Sequence, residues 1–142
     1  MSNEEYCDWC SGHDLEWRTI NKSNLIRSFV SKPWFRVGHC LVIPMRHLSS
    51  IDDLREDEAA NLMLELGRLS KLLDQGFGVG VMQKYMPMQA ENSVKMNHLH
   101  FHVFPRQKEE QGLFPTPYPN SFESFYIPDT KNVSELVEQL KA

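Results

Sequence analysis

Three histidines stand at alternate positions in the run His98-Leu99-His100-Phe101-His102-Val103-Phe104, with an apolar residue at each position between them. In a strand, this period of two points all three imidazoles to one face, ~7 Å apart, and sends Leu99, Phe101 and Val103 into a core. Imidazole titrates near ~6.5, so neutral and charged members of such a row coexist at neutral pH. They can divide nucleophilic, proton-donating and hydrogen-bonding work around a phosphoryl or metal centre. The row is the expected active site. Three of the six histidines fall at this strict spacing inside one apolar run, which scattered surface histidines do not produce.

A second group of reactive side chains lies near the start of the chain, where Cys7-Asp8-Trp9-Cys10 separates two thiols by two residues. The chain has three cysteines, an odd number that argues against a disulfide framework. In a reducing compartment C-x-x-C reads as metal or redox chemistry. No βαβ pattern surrounds it, which weakens the redox reading, and a free dithiol is the remaining alternative. Cys40, in Cys-Leu-Val-Ile, reads as a buried strand residue. His13, in the polar stretch Ser11-Gly12-His13-Asp14, reads as a solvated loop residue.

These groups need a frame. Glu16 to Ile20 and Leu25 to Val30 read as two strands of a hairpin joined through Asn21-Lys22-Ser23-Asn24. His39 to Met45 is a β-rich run in which Pro44 cannot donate to a ladder and so marks the strand end, leaving His47 in the following loop. From about Arg55 to Gln75, Leu62, Leu66, Leu69 and Leu73 recur at the steps of an amphipathic helix. Asp53, with Glu56 three residues on, reads as its cap. Gly76 to Gly80 ends that helix and opens a strand through about Tyr85, before Met86-Pro87-Met88. The histidine strand spans His98 to Phe104. Asn132 with Glu135 reads as a capping box for a terminal helix carrying Val133, Leu136, Val137 and Leu140. Between them, Gly112 to Pro128 interleaves prolines with Phe114, Tyr118, Phe122, Phe125 and Tyr126. It reads as an ordered tail packing its aromatics on the domain or on a partner subunit, with a substrate-selecting lid as the alternative. One long helix among four or five antiparallel strands is an α+β arrangement.

At 142 residues the chain reads as a single domain, 1–142, able to bury roughly two thirds of its unfolded surface. A net charge of -4 and a pI near 5.8 leave no basic footprint for nucleic acid, so a phosphate site must be a local pocket. The acidic start, Met1-Ser2-Asn3-Glu4-Glu5, has no apolar segment, and no run approaches the ~18 apolar residues of a membrane span. The expected location is cytoplasmic, away from membranes.

The histidine run followed by Pro105-Arg106 resembles the defining motif of the histidine triad (HIT) superfamily of nucleotide hydrolases and transferases. Gly38-His39-Cys40-Leu41-Val42-Ile43-Pro44-Met45-Arg46-His47 is similar to that family's G-H-x-L-V-I-P-x-x-H block, and Cys7-Asp8-Trp9-Cys10 to the C-x-x-C that opens many members. The order and spacing of these blocks over about the first 106 residues fit the family, and about 107–142 is a C-terminal extension without a match. The resemblance implies a HIT-like five-stranded antiparallel sheet with one long helix and a short C-terminal helix, commonly paired as a homodimer. It implies that His100 is the nucleophile, with the backbone carbonyl of His98 fixing its tautomer. Attack at an α-phosphate would give a covalent nucleotidyl-histidine, resolved by water or another acceptor. His102, His39 and backbone donors would stabilise the developing charge, with no magnesium required.

Some branches of the superfamily, including galactose-1-phosphate uridylyltransferases, hold a structural zinc on two cysteines and two histidines in the order of Cys7, Cys10, His47 and His98. Those four donors suit tetrahedral zinc and would close its shell, which implies a structural ion. Two departures bear on substrate. Phe29-Val30-Ser31-Lys32 stands where many members carry an acidic residue or Asn poised for ribose hydroxyls. Gln89 to Asn97 replaces the usual Gly- and Gln-containing phosphate loop, and there Asn92 and Ser93 are the candidate phosphate donors. The function implied is a nucleotide hydrolase or nucleotidyl transferase acting on a nucleoside phosphoramidate, a dinucleoside polyphosphate or a similar ester. A non-catalytic nucleotide-binding or adaptor protein and a zinc-stabilised interaction module are the alternatives. Intact His100 and His102 favour the enzyme.

Overall fold

Period-two alternation in the strands and a leucine stripe in the long helix settle which surfaces meet. The computed structural model describes residues 7–32, 34, 37–77, 81–84, 98–105 and 127–141, with backbone alone at 77 and 81–84. In chain order the elements are α1 (Asp8–Ser11), β1 (Thr19–Lys22), β2 (Ile26–Val30), β3 (Cys40–Pro44), α2 (Glu56–Phe77), β4 (Val81–Lys84), β5 (Phe101–Pro105) and α3 (Thr130–Leu140). Short 3-10 turns occupy Glu16–Arg18 and Ile51–Asp53. The strands form one five-stranded sheet in the order β1-β2-β3-β5-β4, each neighbouring pair antiparallel. This is the α+β arrangement expected.

The register sorts the sheet into two faces. Leu41 lies opposite Phe29 on one side and His102 on the other, while Cys40 lies opposite Val30 and Val103. By alternation, Arg27, Phe29, Leu41, Ile43, His102 and Phe104 share one face. Ile26, Val30, Cys40, Val42, Phe101 and Val103 share the other. Helix α2 covers the second face with Leu62, Leu66, Leu69 and Leu73, and α3 adds Val133, Leu136, Val137 and Leu140 to the same buried cluster. Leu99 joins that core. Among the described residues the cover on the histidine face is smaller: Leu15, Phe29, Leu41 and Ile43 form a buried cluster with Trp9 packed against it. Among the described residues no helix is long and apolar enough to cross a membrane.

Several boundaries differ from the sequence reading, each for a tertiary reason. Glu16–Arg18 is a 3-10 turn, so the first strand begins at Thr19 and retains Asn21 and Lys22. Asn21 is held there because its side chain donates to Glu65 on α2 at 2.9 Å. The turn falls instead at Ser23, whose hydroxyl accepts the N–H groups of Leu25 and Ile26. The β5 ladder begins at Phe101 rather than His98, because Leu99 donates its N–H to Leu48 in the loop after β3, at 2.6 Å. Asn132 and Glu135 lie inside α3, whose N-cap is Asp129, so they form no capping box. Tyr85, the loop residues Asn92 and Ser93, and the aromatics of 112–126 lie outside the described residues.

The cap of α2 also moves. Asp53 sits in the 3-10 turn, and Glu58 reaches back to the N–H of Arg55 at 2.8 Å. Glu58 is buried and accepts two hydrogen bonds from the Arg46 guanidinium, at 2.8 and 2.7 Å. That guanidinium is the main reason the carboxyl is held down to about 2, against an ordinary value of 4.5. A carboxyl depressed in the folded chain contributes stability above its unfolded value, and the contribution is lost as pH falls from 4.5 to about 2. Glu58→Gln should flatten that part of the acid-denaturation curve while the rest of the profile stays. Thermal melts across this range check it, and an unaltered pH dependence would show that the pair contributes nothing.

Candidate active site and metal centre

Strand β5 and the residue preceding β3 bring two of the candidate histidines together. His39 Nε2 lies 2.8 Å from His102 Nδ1, so one ring donates to the other. Phe104 packs edge-on against His39, with centroids 5.3 Å apart, and His39 is buried. His100 sits beside them, its ring centroid 4.9 Å from that of His102. His100 Nδ1 lies 2.9 Å from the carbonyl oxygen of His98. A carbonyl only accepts, so Nδ1 carries the proton and Nε2 of the neutral ring keeps its lone pair. Burial pushes the His100 pKa below its ordinary value, against the smaller raising effect of the bond to His98. His100 is thereby kept neutral, in the tautomer a nitrogen nucleophile requires.

The second cluster gathers residues distant in sequence. Cys7 precedes α1, and its Sγ accepts the N–H of Cys10 at 3.4 Å, so the first thiol caps the turn that carries the second. Gly12 closes this four-residue helix at φ +77°, where its N–H reaches Asp8 and Trp9 carbonyls and any other residue type would be strained. His98 Nδ1 lies 3.4 Å from the Sγ of both Cys7 and Cys10, and His47 Nδ1 lies 3.1 Å from Cys10 Sγ. The four donor atoms fall within 4.8 Å of one another.

The donor set fits a zinc ion. Zinc bonds of ~2.0–2.3 Å place tetrahedral donors roughly 3.5 Å apart, close to the spacings here. Two soft thiols and two imidazoles are the chemistry zinc selects. His98 Nε2 donates to the Pro44 carbonyl at 2.8 Å, which leaves the Nδ1 lone pair facing the thiols. Burial, the largest effect, pushes the His98 pKa down to about 4, keeping the ring neutral as a ligand must be. The Nε2 of His47 is buried and has no such partner among the described residues.

His98 therefore belongs to both clusters: its ring faces the thiols and its carbonyl orients His100. Cys40 is separate, because burial, its main influence, pushes its thiol well above the ordinary range, and it faces the α2 side of the sheet. His13 is exposed in the turn after α1, as expected. Sequence reasoning missed Trp9. Its ring lies edge-on to His100 at 5.1 Å, to Phe29 at 5.5 Å and to His98 at 5.9 Å. The only signal available was its place between the two cysteines.

The family model for the HIT domain matches residues 16–109. The chain is 27% identical over 79 residues to adenosine 5'-monophosphoramidase hnt1 of Schizosaccharomyces pombe, covering 54% of each. It is 29% identical over 98 residues to the AP-4-A phosphorylase of Mycobacterium tuberculosis, covering 66% of this chain and 48% of that protein. The chain thus spans about half the length of the curated relatives it matches. Among solved structures, a zinc-bound histidine triad family protein from Mycobacterium smegmatis superposes with a TM-score of 0.65 at 21% identity, over 96% of both chains, a likeness of fold.

Proposed function

Because the chain belongs to the HIT-domain family, we propose that it is a nucleotide hydrolase or nucleotidyl transferase in which His100 attacks an α-phosphate. The observation that carries this reading is the hydrogen bond from His100 Nδ1 to the His98 carbonyl, which leaves Nε2 of a neutral imidazole available for the bond to phosphorus. In the first step the Nε2–P bond forms as the P–N or P–O bond to the leaving group breaks, and the leaving group takes a proton. In the second, the oxygen of water or of another acceptor bonds to phosphorus as the Nε2–P bond breaks, its proton passes back to the His39–His102 pair, and the nucleotide product is released. The His39–His102 pair, one ring donating to the other, is suited to stabilising non-bridging oxygens and supplying that proton. Asn92 and Ser93 remain the proposed phosphate donors of the loop before the triad.

Zinc would be held by Cys7, Cys10, His47 and His98 and would supply a cross-link rather than chemistry at the phosphate. Its place in this reading is to fix the ring of His98, whose carbonyl orients the nucleophile. The packing of α3 into the same core as α2 supports the proposed single domain, and the proposed homodimer and cytoplasmic location rest on the family likeness and on the composition. A turnover screen of adenosine and guanosine phosphoramidates and of dinucleoside polyphosphates tests it. Release of nucleoside monophosphate from one of these classes is expected. Binding of nucleoside monophosphate with no turnover of any of them would replace the enzyme by a nucleotide-binding protein.

A further inference from the structure

Cys7 and Cys10 stand on one helical turn that backbone hydrogen bonds close. Ser11 donates its N–H to the Cys7 carbonyl at 3.1 Å and His13 donates to that of Asp8 at 2.9 Å. The two sulfurs lie within 4.8 Å of each other, and each is 3.4 Å from the same nitrogen, Nδ1 of His98. Their surroundings differ. Cys7 is 2% exposed, whereas Cys10 is only half-buried, so a small solute meets Cys10 first. Cys40, the third thiol, is 0% exposed in the core under α2, away from both. A pair of adjacent thiols, one of them accessible, is the arrangement in which a first oxidation is captured by the neighbouring sulfur.

We propose that Cys7 and Cys10 are a reversible oxidation site, which hydrogen peroxide converts to a disulfide, and that this bond switches the histidine site off. The effect on turnover rests on the nucleotide reading above; the sulfur chemistry does not. In the first step the Cys10 thiolate attacks one oxygen of hydrogen peroxide, the O–O bond breaks, and hydroxide leaves a sulfenic acid at Cys10. The Cys7 thiolate then attacks that sulfur and displaces a second hydroxide as the S–S bond forms. The two sulfurs together give up two electrons, peroxide takes them, and each hydroxide gains a proton from solvent and departs as water. Two of the four donors at the metal centre are thereby consumed, and two imidazoles alone do not close a tetrahedral shell. The loss reaches His100 by two routes. His98 loses both sulfurs facing its ring, and its carbonyl is the acceptor 2.9 Å from His100 Nδ1. His47 loses Cys10, 3.1 Å from its Nδ1, while its buried Nε2 has no partner among the described residues. Leu48, the next residue, accepts the N–H of Leu99, which immediately precedes His100. A dithiol reductant returns two electrons and two protons and restores the donors.

The test treats reduced, zinc-loaded protein with hydrogen peroxide and reads sulfur, metal and turnover in the same samples. Peptide maps should show a Cys7–Cys10 bridge with Cys40 still a thiol, and a colorimetric chelator should detect about one zinc released per bridge formed. Turnover of the best nucleotide substrate should fall roughly 10- to 100-fold in step with the bridge, the scale on which supporting contacts around a functional histidine matter. Dithiothreitol with zinc should restore it, which separates the bridge from methionine oxidation, since dithiothreitol does not reverse the latter. A bridge that engages Cys40, oxidation that runs to sulfinic acid without a bridge, or metal retained in the bridged protein overturns the oxidation site. Bridging and metal release with turnover unchanged overturns the switch and leaves the nucleotide reading intact. Absence of turnover in the reduced protein overturns the nucleotide reading, and the switch is then decided by the NMR signals of the His100 ring. Those signals should move on oxidation and return on reduction; signals that stay in place in the bridged, metal-free protein overturn it.

Discussion

His100→Ala should abolish multiple turnover of whichever nucleotide the wild-type protein cleaves best. In the proposed mechanism the bond to phosphorus is made by this ring's own nitrogen, so no neighbour can substitute for it. A loss on the order of 10⁴-fold or more is expected, equivalent to at least ~5.5 kcal/mol of barrier. His102→Ala should behave differently. It removes the proposed stabiliser of phosphate charge and the partner of His39 but leaves His100 in its tautomer, so a loss of about 10²- to 10³-fold is expected, with measurable residual chemistry. Single- and multiple-turnover assays on the two variants separate these roles. Near-normal activity in His100→Ala would exclude it as nucleophile.

Cys7→Ser should release the metal and weaken two things at once. Protein purified without chelator should carry about one zinc per chain by native mass spectrometry, and the variant none. A ligand that binds only the folded state stabilises it, and a site at a hundred times its dissociation constant contributes about 2.7 kcal/mol. For a chain of this size that is a fall of roughly 5–11 °C in Tm. Turnover should fall as well, because the ring of His98 loses its anchor 3.4 Å away and the carbonyl orienting His100 is on the same residue. Freshly isolated, reduced wild-type protein without metal would remove zinc from this picture and leave the triad chemistry to stand alone.

Local pattern made much of the frame legible. The leucine stripe of α2 and the apolar positions of α3 repeat at helical spacing, and each is buried where the period puts it. The alternation through His98 to Phe104 sorts side chains correctly even though the ladder begins only at Phe101, because the bond from Leu99 to Leu48 continues the extended course upstream. Where long-range partners decide, local pattern fails. Asn21 reads as a turn residue until Glu65 on α2 takes its side chain. Asp53 reads as a cap until Arg46, from the preceding loop, draws Glu58 into that position. The meeting of Cys7 with His98, 91 residues apart, follows from no spacing rule and was accessible only through family likeness. Trp9 beside His100 was accessible through neither, since an aromatic between two cysteines reads equally well as packing.

In the proposed mechanism His100 becomes covalently bonded to the α-phosphorus. A substrate labelled at its α-phosphate, mixed with enzyme and quenched during steady turnover, reads this directly. Wild-type protein should retain protein-bound label that acid then releases, as a phosphorus–nitrogen bond to imidazole requires, and His100→Ala should retain none. Wild-type protein that turns the substrate over without ever holding label, or label of equal amount on His100→Ala, would contradict it.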